Sequence, residues 1–246
     1  MEQLSRRIAE RKAELDALRP LHPDLLRAVQ RHFDVELTFT SNAIEGNTLT
    51  LRETAEVIEH GLTVGGKPLR DHLEAADHDD AVQWMRAQAD VATPLGEDTI
   101  VELHHRIVAR SQPEGAGIYS RLPRRIAGSA VVFPNPAKIP ALMEALGRWL
   151  GEAGDTPSIA FDAHYRLVAI HPFVVGNGRT ARLLMNLMLL RGGYPPVAVR
   201  PEDRAAYLDA LEHAATTDDL GPFQQLLHGR LADTLDAYVA LFREAA

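Results

Sequence analysis

The sequence predicts an all-α protein, a helical bundle, with one short β-hairpin near the middle of the chain. Apolar residues recur at helical spacing over most of the 246 residues. Prolines and glycines interrupt this pattern at short intervals, which predicts helices of ordinary length joined by short loops. β-branched residues cluster around Gly128 within the Gly- and Pro-rich segment Gly115–Pro136. We therefore expect the strand pair there.

The individual helices follow from breaks and capping signals. Pro20 and Pro23 separate the first two helices, and Thr50 to Glu53 has the spacing of a capping box that opens a third helix, which Gly61 would close. A further helix carries Leu103, Ile107 and Val108 after the break that ends at Asp98. The other predicted helices cover about 5–18, 23–43, 71–89, 140–150, 158–169, 177–191, 204–215 and 222–243.

Composition narrows the function classes. The formal net charge of −8 gives no general attraction to nucleic acid or to an anionic membrane, so we expect neither as a partner. The absence of cysteine excludes disulfides and thiolate chemistry. The charged N-terminus lacks the apolar core of a signal peptide, and no apolar run approaches the roughly 18 residues of a membrane span. We expect a cytoplasmic protein.

The segment IHPFVVGNGRTARLLMNLMLL, Ile170 to Leu190, has the features of a phosphate site. Gly176 and Gly178 permit a tight loop before a helix, and free backbone N–H groups converge at a helix N-terminus. Arg179 and Arg182 share one face of that helix, where guanidinium groups suit phosphate oxygens. His171 lies across the loop, where it can accept a proton from a hydroxyl. Each element alone is more often structural, but here they precede a helix that is apolar on nearly all sides, which indicates a central element.

No other motif competes as a catalytic or metal site. His104 and His105 are consecutive, which is not the spacing of two metal ligands on one helix face, and no His-Glu-x-x-His segment occurs. His164 precedes His171 on the preceding helix and is expected to brace that helix. We predict no metal ligands.

The stretch from His171 to Arg182 resembles the signature of the Fic family, His-Pro-Phe-x-(Asp/Glu)-Gly-Asn-Gly-Arg-x-x-Arg. The segments AHYRLVAIHPF, LLMNLMLLRGGYPP and SNAIEGNTLTLRET are also similar to the family. The resemblance covers nearly the whole chain from about Thr38. It implies a Fic-type helical bundle with a β-hairpin flap, an N-terminal helical region over 1–92 and a catalytic core over 93–246.

The resemblance also implies an activity, the transfer of AMP from ATP to a protein hydroxyl. By resemblance, His171 would deprotonate that hydroxyl. Gly176, Asn177 and Gly178 would hold phosphate oxygens, Arg179 and Arg182 would bind the polyphosphate, and Phe173 would fix the loop. The flap, Arg125 to Phe133, would align an extended segment of a protein substrate by strand addition. The family also suggests a possible homodimer.

An inhibitory motif is implied near the N-terminus. Ser41-Asn42-Ala43-Ile44-Glu45-Gly46 is similar to the family's pattern (Ser/Thr)-x-x-x-Glu-(Gly/Asn). Ser41 and Glu45 stand four residues apart on one helix face. The resemblance implies that Glu45 pairs with Arg182 and so excludes the terminal phosphate of a productive nucleotide.

One position departs from the signature. Val175 stands where the family has the acidic residue that binds Mg²⁺, and valine cannot ligate a metal. Three readings stay open. The chain retains AMP transfer, with Mg²⁺ held by the phosphates and water alone. It uses another donor or a metal-independent reaction at His171. Or it is a catalytically impaired protein with a regulatory role.

Overall fold

The computed structural model describes residues 2–126 and 128–244, and these residues form ten α-helices. All ten predicted helices are confirmed, with bounds that differ from the predictions by a few residues at most ends. The helices are α1 Glu2–Ala17, α2 Pro23–Ile44, α3 Leu51–His60, α4 Leu69–Ala89, α5 Glu97–Val108, α6 Ile139–Glu152, α7 Pro157–Ile170, α8 Asn177–Arg191, α9 Arg204–Thr217 and α10 Gly221–Glu244.

Capping side chains set several of the helix ends. The predicted capping box is present at α3, where Thr50 accepts from the N–H of Glu53 and the Glu53 carboxylate accepts from the N–H of Thr50. Gly61 ends α3 with a left-handed backbone, φ 63°. Pro23 and Pro157 occupy the first helical positions of α2 and α7, where the missing N–H costs nothing.

Helix α8 lies at the centre of the bundle, packed against α4, α5 and α7. Nearly every side chain from Asn177 to Leu189 is buried, which confirms the central position predicted from its apolar sequence. The polar residues on α8 are therefore buried as well, and each needs a partner. Although α8 is apolar, no helix among the described residues is long and apolar enough to cross a membrane.

The N-terminal helices are part of the same hydrophobic core as the rest of the bundle. Ile8 of α1 and Val29 of α2 belong to the cluster that also contains Leu187 of α8 and Leu231 of α10. Helix α1 packs along α10, where Arg11 donates to Asp236 at 2.6 Å. A division of the chain near residue 92 stays a prediction, and it is not marked by a break in this core.

The predicted β-hairpin is wrong for the described residues between 115 and 136, which contain no strand ladder. The single β-bridge there joins Tyr119 to Phe173 and lies outside the predicted flap. The backbone N–H of Ala130 donates to the Glu212 side chain of α9 instead of to a facing strand. Ile126 and Val132 are 50% and 74% exposed, so this β-branched stretch has no buried face that would fix a strand register. Residues 125–126 and 128–133 are in a loop rather than a strand, and Phe133 at its end lies against His171.

Candidate active site

A short loop between α7 and α8 carries His171 and is held closed by Asn177. The Asn177 side chain accepts from the N–H of Phe173 at 2.9 Å and donates to the carbonyl of Phe173 at 2.9 Å. The Phe173 ring is fully buried. Both functional groups of the Asn177 amide are therefore used inside the loop. The expectation that Asn177 holds a phosphate oxygen stays a prediction, and at this point α8 also presents the backbone N–H groups of a helix N-terminus.

Two residues of this loop have left-handed backbone angles. Gly176 is the N-cap of α8 with φ 78°, as its glycine permits. His171 has φ 52° and ψ 53°, a conformation that costs a non-glycine residue energy and that tends to occur at functional sites. The turn at His171 ends α7.

The His171 ring is packed against the flap segment. It stacks on Phe133 with ring centroids 4.1 Å apart, and its Nδ1 is buried without a well-formed hydrogen bond. Burial lowers the pKa of His171. The carbonyl of Val168 and the charge of Glu45 act in the opposite direction, while Arg124 lowers the pKa further. The imidazole is therefore held in its neutral form, the form that a general base requires.

Arg182 is buried in the centre of the site, and Ser41 and Glu45 hold it. Its Nε donates to the Ser41 hydroxyl at 2.9 Å, and its Nη2 donates to the Ser41 carbonyl at 2.9 Å and to the Glu45 carboxylate at 2.8 Å. The Arg182 side chain is 4% exposed. The last turn of α2 therefore makes the contacts that the motif implied between Ser41, Glu45 and Arg182.

The Glu45 carboxylate lies over the N-terminus of α8. A Cβ atom placed on Gly178 would be 2.6 Å from Oε1 of Glu45 and 3.1 Å from Nη1 of Arg182. Burial favours the neutral acid, but Arg182, and then Arg179 and Arg204, hold the pKa of Glu45 below its ordinary value. An ionised carboxylate thus lies between Arg182 and the first turn of α8, where the helix dipole also favours a negative charge.

Arg179 and Arg182 do not converge on one partner. Arg179 donates to the Asn42 side chain at 3.2 Å, and its guanidinium lies 3.6 Å from the carboxylate of Glu74 on α4. The Arg179 side chain is 3% exposed. In this structure α2 and α4 therefore supply separate acceptors for Arg179, and the expectation that both arginines bind the polyphosphate stays a prediction.

Two further residues behind Arg182 were not identified as site residues from the sequence. The Tyr207 hydroxyl of α9 lies 3.4 Å from Nη1 of Arg182 and 2.8 Å from Nε2 of His164 on α7. Burial lowers the pKa of His164 to about 3, with a smaller contribution from Arg182, so His164 is neutral. His164 therefore accepts a hydrogen bond from the Tyr207 hydroxyl, and the Tyr207 oxygen accepts one from Arg182. No local sequence signal links these residues, because they come from three helices.

His104 is the other residue missed by the sequence. Its imidazole lies parallel to the Phe173 ring, with centroids 3.6 Å apart and an interplanar angle of 1°. Nε2 of His104 lies 3.0 Å from the carbonyl of Val175. Two consecutive histidines suggest at most a metal site, and nothing in the local sequence indicates that His104 contacts the His171 loop.

The site does not fit a protein-bound divalent cation. Val175 is partly buried against the hydrophobic core, and its carbonyl already accepts from His104. In the part of the chain that the structure describes, no group of three or more Asp, Glu, His or Cys side chains is placed to hold a metal ion. Magnesium prefers oxygen ligands in octahedral geometry, and the residue in the acidic position of the signature offers no side-chain oxygen.

The bundle and the site together define a class of protein. It is a helical bundle whose buried central helix begins at a histidine-bearing loop and whose Arg182 pairs with a carboxylate from a preceding helix. A family model described as the Fic/DOC family matches residues 94–189. In the structure of Fic-1 (residues 134–508) from C. elegans, 30% of aligned residues are identical, the TM-score is 0.85, and the match covers 98% of this chain and 71% of that chain. The chain belongs to the Fic/DOC family.

Further relatives extend the likeness over the full fold. A Fic domain containing signaling protein from Bacteroides thetaiotaomicron matches with a TM-score of 0.89 and 29% identity, over 97% of each chain. The protein adenylyltransferase Fic of Drosophila melanogaster is 34% identical over 240 residues, which is 95% of this chain and 48% of the relative. The chain therefore spans about half the length of the curated relatives it matches.

Proposed function

We propose that this chain transfers AMP from ATP to a hydroxyl group of a protein. The observation that carries the proposal is the Glu45 carboxylate held between Arg182 and the N-terminus of α8, a position with the charge and N–H groups that suit phosphate oxygens. His171 lies on a strained turn, close enough to Glu45 for the carboxylate charge to raise its pKa. Relatives named protein adenylyltransferase Fic support this choice of donor and reaction.

In this reaction His171 acts on the attacking hydroxyl. The hydroxyl oxygen of a Ser, Thr or Tyr residue forms a bond to the α-phosphorus of ATP, while the bond from that phosphorus to the bridging oxygen of the β-phosphate breaks. Pyrophosphate leaves, and the hydroxyl proton passes to His171. Because Nδ1 is buried, Nε2 is the nitrogen that accepts the proton. The N–H groups at Gly176–Gly178, with Arg179 and Arg182, would hold the phosphates.

The same chain restrains the reaction. Glu45 pairs with Arg182 and occupies the space in front of the α8 N-terminus. A nucleotide whose phosphate binds Arg182 must therefore displace the Glu45 carboxylate. Ser41 adds two further hydrogen bonds to the same guanidinium. Release of the last turn of α2 would therefore open the site, and the free energy of these contacts sets how rarely that happens.

A protein substrate would lie along the flap segment Arg125–Phe133. The described residues of this segment form no strand ladder, and their backbone can pair with an extended segment of the substrate by strand addition. Exposed Ile126 and Val132 offer apolar contacts on either side. Assembly as a homodimer and a cytoplasmic location also stay part of this proposal, as does the absence of nucleic-acid and membrane partners.

The test is label transfer from α-phosphate-labelled ATP to protein. We expect Glu45→Ala to raise transfer at least tenfold, because it frees Arg182 and the helix N-terminus. His171→Ala in the Glu45→Ala background should abolish transfer. Glu36→Ala, on the same helix but paired with Arg200, serves as the matched control and should leave transfer unchanged. Transfer that responds to neither Glu45 nor His171 would remove the proposal.

A second candidate follows from Val175. The partly buried valine supports a Fic-fold protein whose chemistry is metal-independent or uses a donor other than ATP, or one with an impaired, regulatory role. Calorimetry of ATP binding with Mg²⁺ and with EDTA distinguishes the candidates in the wild type and in Val175→Asp. Tight Mg²⁺-dependent binding only in Val175→Asp favours the second candidate. ATP binding by the wild type that is as tight as that of Val175→Asp favours AMP transfer.

A further inference from the structure

His104 connects three segments around the His171 loop. It lies on α5, is 1% exposed, and stacks face to face on Phe173. Its Nδ1 lies 3.0 Å from the backbone N of Gly117, and its Nε2 lies 3.0 Å from the carbonyl of Val175. One imidazole thus joins α5, the segment that leads to the flap, and the loop that begins α8.

The two hydrogen bonds define the protonation state of His104. A backbone N–H only donates, so Nδ1 must accept from Gly117 and carries no proton. A carbonyl only accepts, so Nε2 must carry the proton that it donates to Val175. The neutral, Nε2-protonated ring is therefore the single form that makes both bonds.

The ring also fixes the position of the α8 N-cap. A Cβ atom on Gly176 would lie 3.3 Å from Cδ2 of His104, so the backbone of Gly176 lies close against the imidazole. The loop is tied on its other side as well, because the N–H of Ser120 donates to the carbonyl of Pro172 at 2.7 Å. Movement of His104 would therefore shift Val175 and Gly176, which immediately precede the N–H groups of the anion site.

We propose that His104 is a positioning residue for the transfer reaction, which orients the backbone from Val175 to Gly178 through its two opposed hydrogen bonds. The inference rests on the proposed function for its catalytic consequence and on the geometry alone for its structural part. His104 acts through the loop and touches no reacting atom.

Burial keeps the ring in the form that this role requires. It lowers the pKa of His104 to about 4, and this outweighs the opposite effect of the Val175 carbonyl. A second proton would go to Nδ1 and face the N–H of Gly117. The hydrogen-bonded arrangement therefore persists throughout the neutral range of pH.

Two amide substitutions separate the two hydrogen bonds. In His104→Gln the amide nitrogen takes the approximate place of Nε2 and can still donate to Val175. In His104→Asn the amide oxygen takes the place of Nδ1 and can accept from Gly117, but the bond to Val175 is lost. Both variants are made in the Glu45→Ala background, with His105→Gln as the control, because His105 is the exposed neighbour on the same helix.

We expect His104→Asn to lower kcat by about 100-fold, the effect of a misplacement of roughly 1 Å, with a smaller change in KM for ATP. His104→Gln should keep most of the kcat of the Glu45→Ala background. We expect the Asn and Gln variants to have similar melting temperatures. His105→Gln should match the background. Equal loss of kcat in the Asn and Gln variants, in step with their melting temperatures, would overturn the proposal, as would an unchanged kcat in His104→Asn.

A second measurement separates this inference from the proposed function. If the Glu45→Ala protein shows no transfer at all, the proposed function fails, and His104 is then judged by ¹⁵N–¹H NMR and ATP calorimetry. The role predicts an Nε2-protonated His104 and ATP affinity at least tenfold weaker in His104→Asn than in His104→Gln. An Nδ1-protonated ring, or equal affinities, would overturn it.

Discussion

The Oε1 atom of Glu45 lies 2.6 Å from the position that a Cβ atom on Gly178 would occupy. The carboxylate therefore lies directly above the second residue of α8, and the same atom accepts from Arg182 at 2.8 Å. Glycine at 178 is needed for this approach, because any side chain would compete for the space of the carboxylate. The position of the Glu45 carboxylate thus depends on both residues at once.

Gly178→Ala should remove most of the stabilisation that Glu45 gives. The new methyl displaces the end of a flexible side chain, so Glu45→Ala should cost little further stability in the Gly178→Ala background. We would measure urea unfolding of the wild type, the two single variants and the double variant. The free energies of unfolding should show a coupling between the two positions of about 0.5–3 kcal/mol. Gly229→Ala is the matched control, since a Cβ at Gly229 in α10 meets nothing within 4 Å, and its effect should add to that of Glu45→Ala. Strict additivity for Gly178 would contradict the contact.

The pH dependence of transfer should report the lowered pKa of His171. A general base works when it is unprotonated, so transfer by the Glu45→Ala protein should rise with pH through the pKa of His171 and reach half its maximum below pH about 6.5. Arg124 lowers this pKa, so Arg124→Gln should move the midpoint to higher pH. Arg125→Gln, an exposed neighbour, should leave the midpoint in place. A shift to lower pH in Arg124→Gln would refute the assignment.

Tyr207→Phe should destabilise the protein through His164. Loss of the hydroxyl leaves Nε2 of fully buried His164 without its donor and removes one acceptor of Arg182. We expect a loss of about 1–3 kcal/mol in the free energy of unfolding, measured in urea at neutral pH. Tyr165→Phe, on the partly exposed side of α7, provides the comparison and should cost well under that amount. Equal effects of the two substitutions would show that the hydrogen bonds of Tyr207 with His164 and Arg182 add nothing specific to stability.

Asn42→Ala should also lower stability, because buried Arg179 would lose a hydrogen-bonding partner. We expect a cost of about 1–3 kcal/mol, again from urea unfolding. Asn135 is exposed, and its side chain accepts from the nearby N–H of Ala137, so Asn135→Ala should cost less. If Asn42→Ala unfolds at the same urea concentration as the wild type, Arg179 is held by Glu74 alone.

Much of the fold was predictable because helix signals are local. The capping box at Thr50 and Glu53 and the apolar sequence of α8 each lie within one helix, and both predictions were confirmed. For the described residues the hairpin prediction was wrong, and the reason is the opposite one. β-branched residues favour strands, but a strand pair also needs a partner strand and a face that is buried. Val132 is exposed, so this stretch has no such face.

The sequence by itself determined the histidine loop, the glycine-bounded start of α8 and the motif that brings Ser41 and Glu45 together at the end of α2. Each of these depends on residues close together in the chain. Only the tertiary structure decided which groups surround them: Asn42 and Glu74 on Arg179, Tyr207 and His164 behind Arg182, and His104 on the loop. Those contacts join residues far apart in the chain, and their geometry follows from how the helices pack around α8.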